Sequence, residues 1–197
     1  MNVCRKYERE LLFAAVALTF FVLYPLINHF SMSRDAHVLY TYYDSILPFV
    51  TAFIIPYMSG FVMPMLLYVL IKNRIFFRKA ALSYMITFGI AYATYFAYPV
   101  KVVIRPESIN SIFASVFQWY YPVDLPYNAF PSLHVAQPVL AALLAYHYDK
   151  QYWWMLLWAA VIALSTILVK QHYLADVAAG FVLAVGVYFL FVTFFNK

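Results

Sequence analysis

The chain has 197 residues, of which 66% are hydrophobic and only 11% are charged. Soluble domains carry about 25% charged residues, so this composition excludes an ordinary soluble globular protein. The formal net charge of +5 would suit a nucleic-acid partner. The basic residues, however, follow the pattern of membrane topology described below. We therefore expect membrane lipids as partners and no nucleic acid.

Six apolar stretches are the predicted membrane helices, because about 20 apolar residues cross a bilayer core of about 30 Å. They cover residues 11–30, 48–71, 80–100, 133–148, 152–169 and 173–195. The fourth is short and contains Pro138. The first is longer than the apolar core of a signal peptide and lacks a small-x-small cleavage site, so we predict a membrane helix there. The predicted fold class is all-α, an integral membrane six-helix bundle that forms one domain over residues 1–197.

The distribution of Lys and Arg predicts the orientation, since these residues accumulate in cytoplasmic loops. Nine of the thirteen fall in one set of alternate loops, namely Arg5, Lys6, Arg9, Lys72, Arg74, Arg78, Lys79, Lys150 and Lys197. The other set contains Arg34, Lys101, Arg105 and Lys170. This asymmetry predicts a multi-pass protein of the plasma (cytoplasmic) membrane with both termini cytoplasmic.

His172 and Asp176 open the last apolar stretch. If the helix starts near His172, residues four apart lie on one helical face. The carboxylate can then accept a hydrogen bond from one ring nitrogen and leave the other nitrogen as a nucleophile or base. A polar helix end at the interface is the alternative, but ionisable residues within membrane segments more often mark function.

Ser132 and His134 begin the fourth stretch, directly after Pro131. Ser is a favoured N-cap, and the free N–H groups of a first helical turn form an anion site. His134 beside them could donate a proton to a bound oxyanion. A simple helix cap with an interfacial histidine is the alternative interpretation.

Lys101 and Arg105 follow the third stretch, and Pro106 is expected to end its helix. If they are helical, the two cations share one face and repel each other, and an anion between them would relieve that repulsion. Snorkelling towards lipid headgroups is the alternative. Together the three clusters supply cations, a helix N-terminus and two histidines at one membrane face, which is typical of phosphoryl chemistry. Transport would instead place charges near the bilayer midplane.

The order of these clusters resembles the type 2 phosphatidic acid phosphatase superfamily of membrane lipid phosphatases and phosphotransferases. Its motifs are a Lys and an Arg-Pro six residues apart, then Pro-Ser-Gly-His, then Ser-Arg followed after five residues by His and three later by Asp. Here "PSLH" (131–134) and "STILVKQHYLAD" (165–176) match the second and third motifs. The matching segments look most similar to the branch that includes inositol phosphorylceramide synthase-like transferases.

Three positions depart from the family pattern. The gap between Lys101 and Arg105 is three residues instead of six, and Leu133 replaces Gly. Thr166 stands where the family has a phosphate-binding Arg, and we expect Lys170 to replace it as a point charge.

The resemblance implies that His172 attacks phosphorus and forms a phosphohistidine while Asp176 holds its other nitrogen, and that His134 protonates the departing lipid alkoxide. It implies a phosphate site formed by Lys101, Arg105, Ser132, Leu133, Ser165 and Lys170. No metal or cofactor is expected, although His134, His172 and Asp176 could in principle form an iron or zinc site. The sequence carries no signal for an oligomeric state.

The predicted function is therefore a lipid phosphatase that acts on a lipid phosphate or diphosphate at the outer face. A phosphotransferase that passes the group to an alcohol is the first alternative, and a non-enzymatic lipid-binding or carrier protein is the second. Aromatic residues of the outer loops, Tyr40, Tyr42, Tyr43 and the segment 111–121, are expected to shape lipid access. Interfacial anchoring is their alternative role.

Overall fold

The computed structural model describes residues 7–195, so Arg5, Lys6 and Lys197, which enter the orientation argument, lie outside the described residues. The described part of the chain is helical, with no strand beyond a single bridge between His37 and Val100. The helices are α1 (Glu8–Met32), α2 (Tyr42–Ile46), α3 (Thr51–Leu70), α4 (Arg74–Ala97), α5 (Ala114–Val123), α6 (Leu133–Tyr148), α7 (Lys150–Leu168) and α8 (Leu174–Phe194).

Within the described range, five helices are long and apolar enough to cross a membrane, namely α1, α3, α4, α7 and α8. The all-α class is thus confirmed. The predicted count of six membrane helices is not, because α6 has only 16 residues. At 1.5 Å per residue its length is about 24 Å, less than a bilayer core of about 30 Å.

The short helix α6 occupies the centre of the bundle. It packs against α3, α4, α7 and α8, and none of its residues is exposed. Its start lies beside the end of α4, where the Tyr95 hydroxyl donates to the Pro131 carbonyl (2.8 Å). Its end lies beside the start of α4, where the Phe76 and Tyr148 rings are 5.0 Å apart. The helix that carries His134 is therefore enclosed by the others along its whole length.

The helix α4 differs at both ends from the predicted span of residues 80–100. It begins six residues earlier because the Asn73 side chain caps it, accepting from the Phe76 N–H (3.0 Å). Its first turns carry Arg74, Arg78 and Lys79, which the prediction had placed in a loop. It ends at Ala97 because Pro99 disfavours the helical conformation of the preceding residue.

Two neighbouring helices have irregular backbones at the same level of the bundle. The helix α1 contains a π-helical turn at Thr19–Leu23. The helix α3 is interrupted by a turn at Gly60–Phe61, between Pro56 and Pro64, neither of which can donate a backbone hydrogen bond. Phe20 and Phe61 project from these two irregularities, and their rings are 5.9 Å apart.

The start of α8 is held tightly against the start of α6. The Ser132 N–H donates to the Asp176 carbonyl (3.0 Å). One turn further along α8, a Cβ at Gly180 would lie 2.4 Å from the Ser132 carbonyl oxygen. Only glycine therefore permits this approach, which brings two of the predicted polar clusters together.

Candidate active site

The two predicted catalytic histidines lie next to each other. Their ring centroids are 5.7 Å apart, and both side chains are almost fully buried. His134 is the second residue of α6, whereas His172 precedes α8 in a bend that follows α7. The bend is fixed by the Thr166 carbonyl, which accepts from the N–H groups of Gln171 (3.0 Å) and His172 (3.2 Å).

The geometry of His172 and Asp176 differs from the predicted helical pair. Because α8 begins at Leu174, His172 lies before the helix and not on its face. The His172 Nδ1 and Asp176 Oδ2 atoms are nevertheless 3.5 Å apart. That oxygen accepts from the Tyr173 N–H (2.8 Å) and so caps α8. In the described part of the chain, His172 Nδ1 and Asp176 Oδ1 have no hydrogen-bond partner. The carboxylate thus faces the imidazole at ion-pair distance without a formed hydrogen bond.

His134 is held by two tyrosines. Its ring stacks on that of Tyr57 with centroids 4.5 Å apart. The hydroxyls of Tyr57 and Tyr120 lie 3.4 Å from Nδ1 and 3.2 Å from Nε2 respectively. The two hydroxyls are also 2.7 Å from each other. The imidazole is therefore fixed by contacts at both nitrogens.

Asp124, which the sequence prediction missed, is the centre of this tyrosine cluster. Its carboxylate accepts from the hydroxyls of Tyr24 (2.9 Å) and Tyr120 (2.7 Å). Burial, and then the charge of Asp124, raise the pKa of Tyr120 well above its usual value, so this phenol remains a donor. A sequence signal existed, since Asp124 is the only charged residue between Glu107 and His134. Its role depends on contacts with α1 and α3 that the local sequence does not show.

Arg105 and Lys101 do not share a helical face as predicted, because both follow the end of α4 in a segment that is not helical. The Arg105 guanidinium donates to the Asp124 carbonyl (2.6 Å) and lies 3.6 Å from its carboxylate. In the part of the chain that is described, Arg105 Nε has no partner. The Lys101 ammonium lies 5.5 Å from the centre of the Tyr127 ring. The cation of Arg105 thus reaches the His134 cluster through Asp124.

Lys170 is bound by the loop between α1 and α3. Its backbone is left-handed, with φ of 58°, and its ammonium donates to the carbonyls of Asp44 (2.9 Å) and Leu47 (2.6 Å). Burial lowers the pKa of this ammonium, and the nearby charge of Asp44 partly opposes that shift. The Asp44 carboxylate, also missed from the sequence, accepts from the Leu174 N–H at the start of α8 (2.8 Å). The contacts of Asp44 and Lys170 therefore hold this loop against the junction between α7 and α8.

The remaining predicted phosphate ligands lie in two positions. Ser132 precedes α6 as expected, but its side chain does not cap the helix. Its Oγ is buried and has no partner within residues 7–195. The adjacent Leu133 is also buried, at the first position of α6. Ser165 lies inside α7, where its hydroxyl donates to the Ile162 carbonyl (2.6 Å). Ser132, two residues before His134, thus has an unpartnered hydroxyl among the described residues, whereas the hydroxyl of Ser165 is paired within its own helix.

The aromatic residues that were predicted to shape lipid access separate into two groups. Tyr120, in the segment 111–121, contacts His134 directly. Tyr42 and Tyr43 are 73% and 65% exposed and stack edge-to-face on each other. In the described residues, no group of three His, Cys, Asp or Glu side chains is arranged to hold a metal ion, and His134, His172 and Asp176 do not form one.

The site thus joins two histidines, two carboxylates and an arginine at one end of an apolar helical bundle, as in a membrane-embedded protein that handles an anionic group. The family model of the PAP2 superfamily matches residues 10–190, and the chain belongs to that superfamily. Membership indicates an activity of the phosphatase or phosphotransferase type. No curated protein and no solved structure matches the chain.

Proposed function

We propose that the protein is a membrane lipid phosphatase that removes phosphate from a lipid phosphate or diphosphate through a phosphohistidine at His172. The observation that carries this proposal is the juxtaposition of His134 and His172, 5.7 Å apart by ring centroid. Asp176 lies 3.5 Å from His172. A nucleophile, its orienting carboxylate and a second imidazole are the groups required for covalent phosphoryl transfer without a metal.

The proposed reaction steps follow from which nitrogen of His172 faces Asp176. Asp176 faces Nδ1 of His172, so a proton on Nδ1 leaves the lone pair on Nε2 to attack phosphorus. As the new N–P bond forms, the bond from phosphorus to the lipid oxygen breaks. His134 gives that oxygen a proton and then takes one from a water molecule. The oxygen of this water attacks phosphorus, and the N–P bond to His172 breaks. The product of the second step is inorganic phosphate, and both histidines return to their starting states.

The phosphate oxygens would be stabilised by groups near the start of α6. The Ser132 hydroxyl is buried and unpartnered in the described chain, and so is Arg105 Nε. The first N–H groups of a helix add an anion-favouring dipole. Lys101 and Lys170 supply the remaining positive charges of the proposed phosphate site. Preorganised donors of this kind usually make the largest contribution to stabilising the transition state.

The assay is incubation of the purified protein in lipid nanodiscs with a panel of lipid phosphates and diphosphates. Free phosphate and new lipids are measured with and without alcohol acceptors. Acid-labile, base-stable labelling from a radioactive phosphate group, lost in His172→Gln, is the expected sign of phosphohistidine. Transfer of phosphate to the alcohol would favour a phosphotransferase, in keeping with the resemblance to the inositol phosphorylceramide synthase-like branch. Binding without turnover would favour the carrier function.

We further propose that the site faces outward at the plasma membrane, because most Lys and Arg residues lie in the opposite loops. In a Cys4→Ser background, a cysteine at the exposed Asn110 should react with an impermeant thiol reagent added to intact cells. A cysteine at the exposed Lys72 should react only after permeabilisation. The opposite labelling pattern would place the site in the cytoplasm.

A further inference from the structure

An apolar groove separates α1 from α3 on the outside of the bundle. It holds about 200 Å³ of accessible space, less than the roughly 300–1,000 Å³ that is usual for a site that holds a whole small-molecule ligand. Its walls include Val16, Phe20, Phe21, Phe61, Met65 and Gln137. Phe21 and Met65 are 66% and 56% exposed, so the groove opens on the face that the membrane would cover.

The groove continues into the candidate active site. A second cleft shares the walls Phe20, Phe21 and Phe61 and is also lined by Asp124 and His134. The Phe61 ring is 5.4 Å from that of His134. The two spaces adjoin at these shared walls, along the path from the exposed surface of α1 and α3 to the proposed general acid.

The backbone irregularities of the fold lie on the walls of this path. Phe20 and Phe21 belong to the π-helical turn of α1, and Phe61 belongs to the turn that interrupts α3. π-Helical turns occur frequently at functional sites. In membrane proteins, non-helical backbone is tolerated where it is buried in protein or lines a cavity. Both observations favour a groove with a function over a gap left by imperfect packing.

One polar side chain interrupts the apolar walls. Gln137 is only 8% exposed and lines the groove. The structure records no hydrogen bond for its side-chain amide among residues 7–195, although its backbone carbonyl accepts from Tyr84 (3.0 Å). Buried amides in native proteins are nearly always partnered. Gln137 is thus a polar side chain on the wall of an apolar groove, with an amide that is available to a ligand.

We infer that the α1–α3 groove binds the hydrocarbon chain of the substrate and that Gln137 donates a hydrogen bond to a carbonyl group next to that chain. This inference rests on the proposed lipid phosphatase function. It assigns the substrate to lipid phosphates whose chain is attached through an ester or amide.

The spacing along α6 supports this assignment. Gln137 follows His134 by three residues, and such side chains are neighbours about 5–6 Å apart on a helix. In glycerol- or sphingoid-based lipid phosphates, an ester or amide carbonyl lies a few bonds from the phosphate. With the phosphate at the histidines, that carbonyl would reach Gln137 and the chain would continue towards Val16 and Met65. A polyprenyl phosphate has no polar group at this position and would leave the amide unpaired.

The test compares matched substrates. Wild-type protein and Gln137→Met are assayed on diacylglycerol phosphate, its dialkyl ether analogue, ceramide phosphate and a polyprenyl phosphate. We expect wild-type kcat/KM to favour the ester over the ether by about tenfold, the equivalent of one hydrogen bond. The ratio should fall to about one in Gln137→Met. Gln151→Met, which changes an exposed glutamine at the start of α7, should keep the wild-type ratio. An equal loss on all four substrates, or an unchanged ratio, would overturn the role of Gln137.

The groove itself is tested by a readout that needs no turnover. His172→Gln protein in nanodiscs is photolysed with a diacylglycerol phosphate that carries a diazirine in mid-chain. Crosslinks should concentrate at residues 16–21 and 61–65 and decrease with excess unlabelled lipid phosphate but not with phosphatidylcholine. Crosslinks spread over the lipid-facing surface, or displaced equally by phosphatidylcholine, would show that ordinary membrane lipid occupies the groove. If no substrate is hydrolysed, the phosphatase function fails, and the crosslinks alone decide whether the groove binds phosphate lipids.

Discussion

Replacement of Tyr120 by Phe separates the positioning of His134 from the stability of the Asp124 cluster. The Tyr120 hydroxyl donates to Asp124 (2.7 Å) and lies 3.2 Å from His134 Nε2. The Tyr24 hydroxyl donates to the same carboxylate (2.9 Å), but no contact with His134 is recorded for it in the described residues. Tyr24→Phe is therefore a matched control that removes one donor from Asp124 and leaves the histidine contact in place.

The expected magnitudes follow from these contacts. Each variant removes one hydrogen bond to a buried charge, which contributes about 1.5–3 kcal/mol, so both should lower the melting temperature. Tyr120→Phe should lower it further, because its hydroxyl also contacts that of Tyr57 (2.7 Å). Only Tyr120→Phe also removes the contact with His134, worth about 0.5–1.5 kcal/mol or roughly 2–12-fold in rate. The loss stays partial because the Tyr57 hydroxyl remains 3.4 Å from the ring.

The assay is kcat on a lipid monophosphate and on an aryl phosphate, together with thermal unfolding in nanodiscs. A general acid matters most for a poor leaving group. Tyr120→Phe should therefore lose more activity than Tyr24→Phe on the lipid substrate and match it on the aryl substrate. The reasoning is refuted if the two variants lose equal activity on the lipid, or if Tyr120→Phe loses as much on the aryl phosphate.

Three further predictions concern the histidines, the helix contact and the loop. His172→Ala should abolish turnover of every substrate. His134→Ala should lose about 10²–10⁴-fold on lipid monophosphates and far less on aryl phosphates, and equal losses would contradict the assigned roles. Gly180→Ala should lower both melting temperature and activity, because its Cβ would meet the Ser132 carbonyl at 2.4 Å. Gly186→Ala, at a position with open space, is the control. Lys170→Met should reduce kcat/KM more than about tenfold and speed hydrogen exchange at residues 41–47, since two charge-assisted hydrogen bonds are lost. Unchanged exchange would show that the loop is held by other contacts.

The sequence predicted those features that depend on short spacings. The boundaries of α6 agree with the predicted fourth stretch, since Pro131 and Ser132 mark its start locally. The motif around His172 predicted an imidazole near Asp176; the two groups are 3.5 Å apart, but a bend and not a helical face brings them together. Chain-local signals were sufficient here because the partners are only four residues apart.

The features that the sequence did not predict depend on distant segments. Asp124 is bound by Tyr24, 100 residues earlier, and Asp44 binds Leu174, 130 residues later. The hydrophobic periodicity of the sequence does not indicate contacts between segments so far apart. The predicted helical face of Lys101 and Arg105 was wrong for a local reason, since the effect of Pro99 on Tyr98 ends α4 at Ala97.

The enclosure of α6 has a consequence for how bilayer thickness would act on the protein. Hydrophobic mismatch is accommodated by the helices that contact lipid, through tilting or kinking. None of the residues of α6 is exposed, so a thicker or thinner bilayer does not act directly on the helix that bears His134. The 25 residues of α1 extend about 37 Å, more than the hydrocarbon core, and much of their surface faces lipid. Membrane thickness would therefore change the tilt of α1, and with it the width of the groove, while the spacing of the two histidines stays constant.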